Sequence, residues 1–313
     1  MDFKGRITLW LRHFWVKYRR VVLIGFVAWL IIFIINQIIK RQPTLISLSN
    51  TFNPDVAIIT DDELPVSYTE QIKKTMDEYI KHCNNKEYQE AYDMLSDDCK
   101  AYLYTNSILV FESYVDRLFA TPKIYNYQLF SNFDNYYIYD VTVLDDIGAT
   151  GTSGNYDPYT EKYTFTRKKD GTFKISTNDF IKTTDINLQV ENDDMIVKLL
   201  NLNQSYNKSE YMLTIINRTD DFIVISDNTI GKEVTLNING DKRTATNLTG
   251  GEIVLKPGET ETYSLIFDKF FDDGKEASEI NFNSVRLIEN YGLDMADTTT
   301  GSRKYYSINI PLT

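Results

Sequence analysis

Tyr163–Ile175 reads YTFTRKKDGTFKI. Its aromatic and β-branched residues alternate with polar ones on both sides of Asp170-Gly171. An Asp-Gly between two runs of period two predicts a β-hairpin, because both turn positions tolerate positive φ. The same period continues upstream, in Tyr125, Tyr127 and Leu129 and then in Tyr137, Tyr139, Val141 and Val143. A four-stranded antiparallel sheet is expected. Before it the spacing becomes helical. Ser67-Tyr68-Thr69-Glu70 has the form of a capping box. Tyr68, Ile72, Met76, Tyr79, Ile80 and Cys83 then make one apolar stripe. Tyr88, Ala91, Tyr92 and Leu95 make a second stripe beyond Asn84-Asn85, and Phe111, Tyr114, Val115, Leu118 and Phe119 a third. Residues 67–181 therefore read as three helices on an antiparallel sheet, an α+β arrangement.

Residues 182–313 show no convincing helical stripe. Short β-rich runs recur from Tyr211 to Ile310, separated by turn chemistry such as Asn239-Gly240-Asp241 and Lys256-Pro257-Gly258. That cadence predicts an all-β sandwich. Residues 40–66, with Pro43, Pro54 and Pro65 and no period, read as a linker.

Val21–Ile39 (VVLIGFVAWLIIFIINQII) has no charge over nineteen residues, enough at ~1.5 Å each to cross one hydrocarbon core. Residues 1–20 carry net +5, with Arg12, Lys17, Arg19 and Arg20 close to the apolar run. With Lys40 and Arg41 counted, the whole-chain −11 leaves −18 for residues 42–313. Basic flanks stay cytoplasmic. The expectation is a single-pass protein of the cell membrane with a cytoplasmic basic tail (1–20), a transmembrane helix (21–39) and an extracellular body. A cleaved signal peptide is the alternative, disfavoured by the length of the apolar run. Asn36 and Gln37 hint at contact with another span. The acidic body excludes nucleic acid as a partner, since phosphate neutralisation needs clustered basic surface. The tail's basic residues, interleaved with Trp and Phe, suit anionic headgroups or serve only to set topology.

The segment Tyr79–Leu95 (YIKHCNNKEYQEAYDML), followed by the Phe111–Phe119 stripe and the sheet, resembles nuclear transport factor 2-like domains found behind a single anchor in Gram-positive bacteria. The layout is similar to bitopic components of conjugation and type IV secretion machines and to the N-terminal domain of some penicillin-binding proteins. Val254–Phe267 (VLKPGETETYSLIF) and Ile280–Ile288 (INFNSVRLI) resemble immunoglobulin-like domains of bacterial surface proteins. These resemblances imply a cone-shaped α+β domain followed by an immunoglobulin-like β-sandwich. They also imply an interaction or assembly role in the cell envelope, with other envelope or membrane proteins, or a second copy of the chain, as partners. Both folds host many unrelated activities.

Candidate chemistry is sparse. Cys83 and Cys99 are the only cysteines, and either a disulfide closing about sixteen residues or two separate buried thiols fits the spacing. His82 adjoins Cys83, but successive helical side chains diverge, so a nucleophile pair is not expected. One His and two Cys lack an evident fourth zinc ligand. Gly148–Gly154 lacks the Lys-Ser/Thr ending of a phosphate loop. Asp268–Gly274 misses calcium-loop spacing. The resemblance implies one enzymatic alternative, an isomerase-like or ligand-binding pocket built from Asp116, Asp140 and the strand tyrosines. The plainer reading is that tyrosine fills a half-wet core. No enzyme activity, cofactor or metal is expected.

Overall fold

A computed structural model of the chain describes residues 15–18, 53–59, 63–151, 158–226, 231–238, 240–249, 251–269, 277–289, 291 and 302–312. Among the described residues the protein is mostly β, about half strand and a quarter helix. Two compact units are present, residues 1–52 and 53–313. Of the first, only Trp15–Tyr18 is described, as one helical turn with the Lys17 ammonium 5.5 Å from the Tyr18 ring centre.

The second unit begins with four helices, α1 (Val66–Asn84), α2 (Tyr88–Met94), α3 (Asp97–Tyr104) and α4 (Ile108–Leu118). Each break has a local cause. Lys86 adopts φ 60° after α1, Leu95 is extended after α2, and Thr105 and Asn106 take φ 49° and 56° after α3. α3 restarts because the Ser96 hydroxyl accepts the Cys99 N–H, with Asp97 and Asp98 in its first turn favouring the helix dipole. The capping box at Ser67 does not form. α1 starts one residue earlier behind Pro65, and no side chain caps it.

Four strands follow: β1 (Lys123–Phe133), β2 (Tyr136–Asp145), β3 (Tyr159–Arg167) and β4 (Phe173–Ser176), in spatial order β1-β2-β3-β4 and all antiparallel. A single turn, α5 (Ile147–Thr150), lies after β2. The free edge of β1 is partly paired: the Leu129 N–H donates to the Pro54 carbonyl, and the Ile58 N–H to that of Leu129. So residues 53–59, assigned to the linker on composition, belong to this lobe.

β5 (Phe180–Glu191) then enters a second sheet with β6 (Met195–Ser205), β7 (Lys208–Asn217) and β12 (Thr260–Asp268), in order β12-β7-β6-β5. The third sheet runs β10 (Asp241–Thr244), β9 (Val234–Ile238), β13 (Ala277–Ile288), β8 (Phe222–Ile225), β11 (Ile253–Leu255), with β14 (Ser302–Pro311) also on β13. Alternating residues of these two sheets bury one shared cluster, including Val197, Leu213, Phe267, Ile225, Leu236 and Phe282. A separate cluster unites α1–α4 with the first sheet, including Met76, Tyr79, Phe111, Tyr139, Tyr163 and Phe165.

This corrects the expected fold class. In place of a nuclear transport factor 2-like cone and an immunoglobulin-like sandwich, the described residues form a mostly β structure of three sheets, with helix confined to interrupted pieces and none of it a membrane span. The helical stripes were real, but the breaks at Lys86, Leu95 and Thr105 keep three of the four helices to eleven residues or fewer. The membrane expectation is corrected too. Among the described residues no helix is long and apolar enough to cross a bilayer, so a single-pass membrane location is not supported. Val21, Ile39, Arg12, Arg19 and Arg20 lie outside the described residues.

Candidate functional site

The most unusual group of the first lobe is Glu161. Strand alternation on β3 aims it to the same side as Tyr163 and Phe165, into the helix–sheet interface, and leaves it 4% exposed. Its Oε1 accepts the Tyr114 hydroxyl of α4 at 2.8 Å. Its Oε2 accepts the backbone N–H of Asn178 at 3.0 Å, with the Tyr159 hydroxyl more distant at 3.4 Å. Burial pushes its carboxyl from 4.5 up to about 7, outweighing the stabilisation from the Tyr114 hydroxyl and the Asn178 N–H, and Asp179 adds to the rise. The Tyr163 hydroxyl is buried beside the carboxylate and also favours its charged form, and the Tyr79 hydroxyl lies against the Cys83 thiol. Tyr104 completes the group, its hydroxyl bonded to Thr177 Oγ1 at 2.8 Å.

Above this group lies a cleft of about 260 Å³ lined by Tyr104, Tyr114, Val110, Arg117 and Asn178. Two of the residues that hold the Glu161 carboxylate therefore also form the cleft wall. A larger groove of about 530 Å³ runs between α1 and the β3–β4 hairpin, with Lys74, Glu78, Asp170 and Lys174 on its walls.

Other residues singled out from the sequence are dispersed. Cys83 and Cys99 are both free and buried. Burial pushes each thiol up to about 12, which leaves them as inert core groups. His82 Nδ1 lies 2.5 Å from Glu87 Oε2, just before α2. Asp116 is exposed, accepting from the Tyr88 hydroxyl at 2.6 Å and pairing with Lys86 at 3.0 Å. Asp140 pairs with Lys162 at 2.5 Å, and the same ammonium sits 3.9 Å from the Tyr206 ring centre and 4.2 Å from that of Phe130. The fold thus does not bring Asp116 and Asp140 together. Asp146 accepts the Gly148 N–H in a local turn. Residues 152–157 and 270–276, which include the end of the glycine-rich run and most of the acidic Asp268–Gly274 segment, lie outside the described residues. Among the described residues no group of three His, Cys, Asp or Glu could hold a metal ion.

Glu161 was readable and was missed. Tyr159, Glu161, Tyr163 and Phe165 occupy one face of a period-two run, so a carboxylate at the second position is predicted to be buried. Compared with known proteins, the chain matches no family model and no curated sequence.

Proposed function

We propose that this chain is a non-enzymatic binding protein, an accessory component of a multiprotein apparatus. Conjugation and secretion machines are the class its sequence resemblance implies. The observation that carries this reading is the filled interior of the first lobe. Tyr79, Tyr139, Tyr163, Phe111 and Phe165 occupy the space between helices and sheet where a substrate cavity would have to lie, and each is fully buried. Exposed apolar side chains supply contact area instead: Leu109 on α4, 68% exposed, with Ile124 on β1 and Tyr159 on β3. The chain's net −11 supports protein rather than nucleic-acid partners. The test is site-specific photo-crosslinking in the native cell, from positions 109, 124 and 159, with the exposed helix position 74 as control. A discrete set of proteins captured from the three apolar positions and not from 74 is expected. Capture of the same abundant proteins from all four sinks the proposal.

One observation favours a second reading, a small-ligand binder or isomerase-like enzyme. Glu161 is raised towards neutrality beneath a cleft, as a general base would be. Against it, Glu161 is closed off from solvent behind Tyr114 and Asn178. A thermal-shift screen with small polar ligands separates the two. A stabilising ligand whose effect is lost in Glu161→Gln would replace the first reading with this one.

A further inference from the structure

Between β4 and β5 the chain passes from the first sheet to the second through Thr177, Asn178 and Asp179 alone. Asn178 and Asp179 take φ 54° and 62°, two consecutive left-handed residues without a glycine. The turn is held in that conformation from several directions. The Asp179 N–H donates to the Lys162 carbonyl, and Asp179 Oδ1 accepts the Lys162 N–H. The Phe180 N–H donates to the Thr177 carbonyl, and the Tyr206 N–H of the β6–β7 turn donates to that of Asp179. The Asn178 N–H is held by Glu161 Oε2.

We propose that Glu161 is a proton-operated latch on this joint: neutral, it stays buried and keeps the turn closed, and ionised, it draws the turn open to water through the cleft above it. The direction follows from linkage. The closed joint dehydrates the carboxyl, which favours its neutral form, so losing the proton must favour the open joint by the same factor. The surroundings supply no compensating charge. From α1 the group faces Tyr79 and Cys83, from α3 Tyr104 and Cys99, and from α4 Tyr114, with Arg117 at the solvent-exposed cleft mouth. Its own strand offers Tyr159 and Tyr163, and the turn offers Asp179, which is itself acidic. Lys162, adjacent in sequence, points to the opposite face and is engaged by Asp140. The tyrosines and thiols around Glu161 are all raised by burial, so none ionises in its range.

The proton equilibrium, 4.5 when solvated and about 7 when buried, makes opening about tenfold more frequent at pH 8 than at pH 6. Hydrogen–deuterium exchange of the full chain reads this directly, once intrinsic base catalysis is corrected. The expected result is a roughly tenfold loss of protection for the amides of residues 177–180 between pH 6 and pH 8, with the amides of β7 unchanged. Glu161→Gln should abolish the change and hold the low-pH protection at both values. Tyr114→Phe removes a donor to the ionised carboxylate and should move the midpoint upward, a shift that a merely structural contact would not give. Equal corrected protection at both pH values in the wild type overturns the proposal, and so does an undiminished loss in Glu161→Gln.

Discussion

The two buried clusters of this protein are built from different materials. The first is made largely of rings: Tyr79, Tyr104, Tyr137, Tyr139 and Tyr163 with Phe111, Phe119, Phe165, Phe173 and Phe180. Many of these contacts are edge-to-face, such as Tyr79 on Tyr163 at 5.9 Å and Tyr139 on Phe165 at 5.6 Å. The second is mainly aliphatic, with Ile, Leu and Val from both sheets and, among the described residues, Tyr211, Phe267 and Phe282 as its only buried rings. A ring core brings hydroxyls inside with it, and those need partners. The Tyr163 hydroxyl turns to Glu161 and that of Tyr79 to the Cys83 thiol, the Tyr139 hydroxyl has no partner in the observed geometry, and Glu161 adds a titrating group. An aliphatic core has far less of either obligation. The first lobe thus carries a carboxyl raised by burial inside its core, whereas the second keeps its buried polar groups, such as Asn217 and the Arg286–Glu252 pair, hydrogen-bonded or ion-paired around an aliphatic centre.

Four substitutions would break or sharpen that contrast. Phe267→Ala, deep in the aliphatic cluster against Tyr211, should cost ~3–5 kcal/mol in chemical denaturation, by the same amount at pH 5 and pH 8. Pronounced pH dependence in its cost would dissolve the distinction. Glu161→Gln should act in the opposite sense. The wild-type carboxyl is raised in the fold, so its contribution is fully present below 4.5 and disappears as pH climbs through about 7. Removing the charge should therefore stabilise the protein above pH 7 by up to roughly 3 kcal/mol and change little below pH 4.5. A stability difference that is flat from pH 4 to pH 8 would contradict it.

Asn217→Ala tests a polar site in the second lobe. Its amide donates to the Asp221 and Lys256 carbonyls, both at 2.8 Å, and its Oδ1 accepts the Thr219 N–H at 2.9 Å. The loss should be about 1–3 kcal/mol, read as a lower urea midpoint without a change of slope. Tyr139→Phe should have the smallest effect. It deletes a buried hydroxyl with no partner, so melting should be unchanged or raised, with a gain of up to ~1 kcal/mol. A clear loss would mean that this hydroxyl is held by something beyond its protein neighbours.

Much of the strand layout could be read directly from alternation. The Asp170-Gly171 turn joins β3 to β4 because Gly171 takes φ 87°, and Lys168 and Thr172 close it. The helical stripes were equally legible, since Ile72, Met76, Tyr79, Ile80 and Cys83 are the residues that α1 buries. What could not be read was how the pieces assemble. Nothing in a local period shows that Asn53–Ile59 lies along β1, because that pairing uses backbone groups. The fold class was not legible for the same reason: helix and strand periods are visible, but how the strands assort into three sheets depends on contacts far apart in sequence. For the site, chemistry was sought in residues with a reputation, Cys83, His82, Asp116 and Asp140. The informative signal was instead a carboxylate standing where the pattern required an apolar residue.

β5 has a mechanical consequence. Its first residue, Phe180, packs in the ring core, stacked on Tyr102, and its remaining length pairs antiparallel with β6 through eight positions. Asp98 reaches from α3 to accept the Thr183 N–H on its outer side. Tension applied to the first lobe therefore passes along one twelve-residue strand and meets the β5–β6 hydrogen bonds in shear, loaded together and not peeled one at a time. If this protein bears load between two partners, that strand is its tendon.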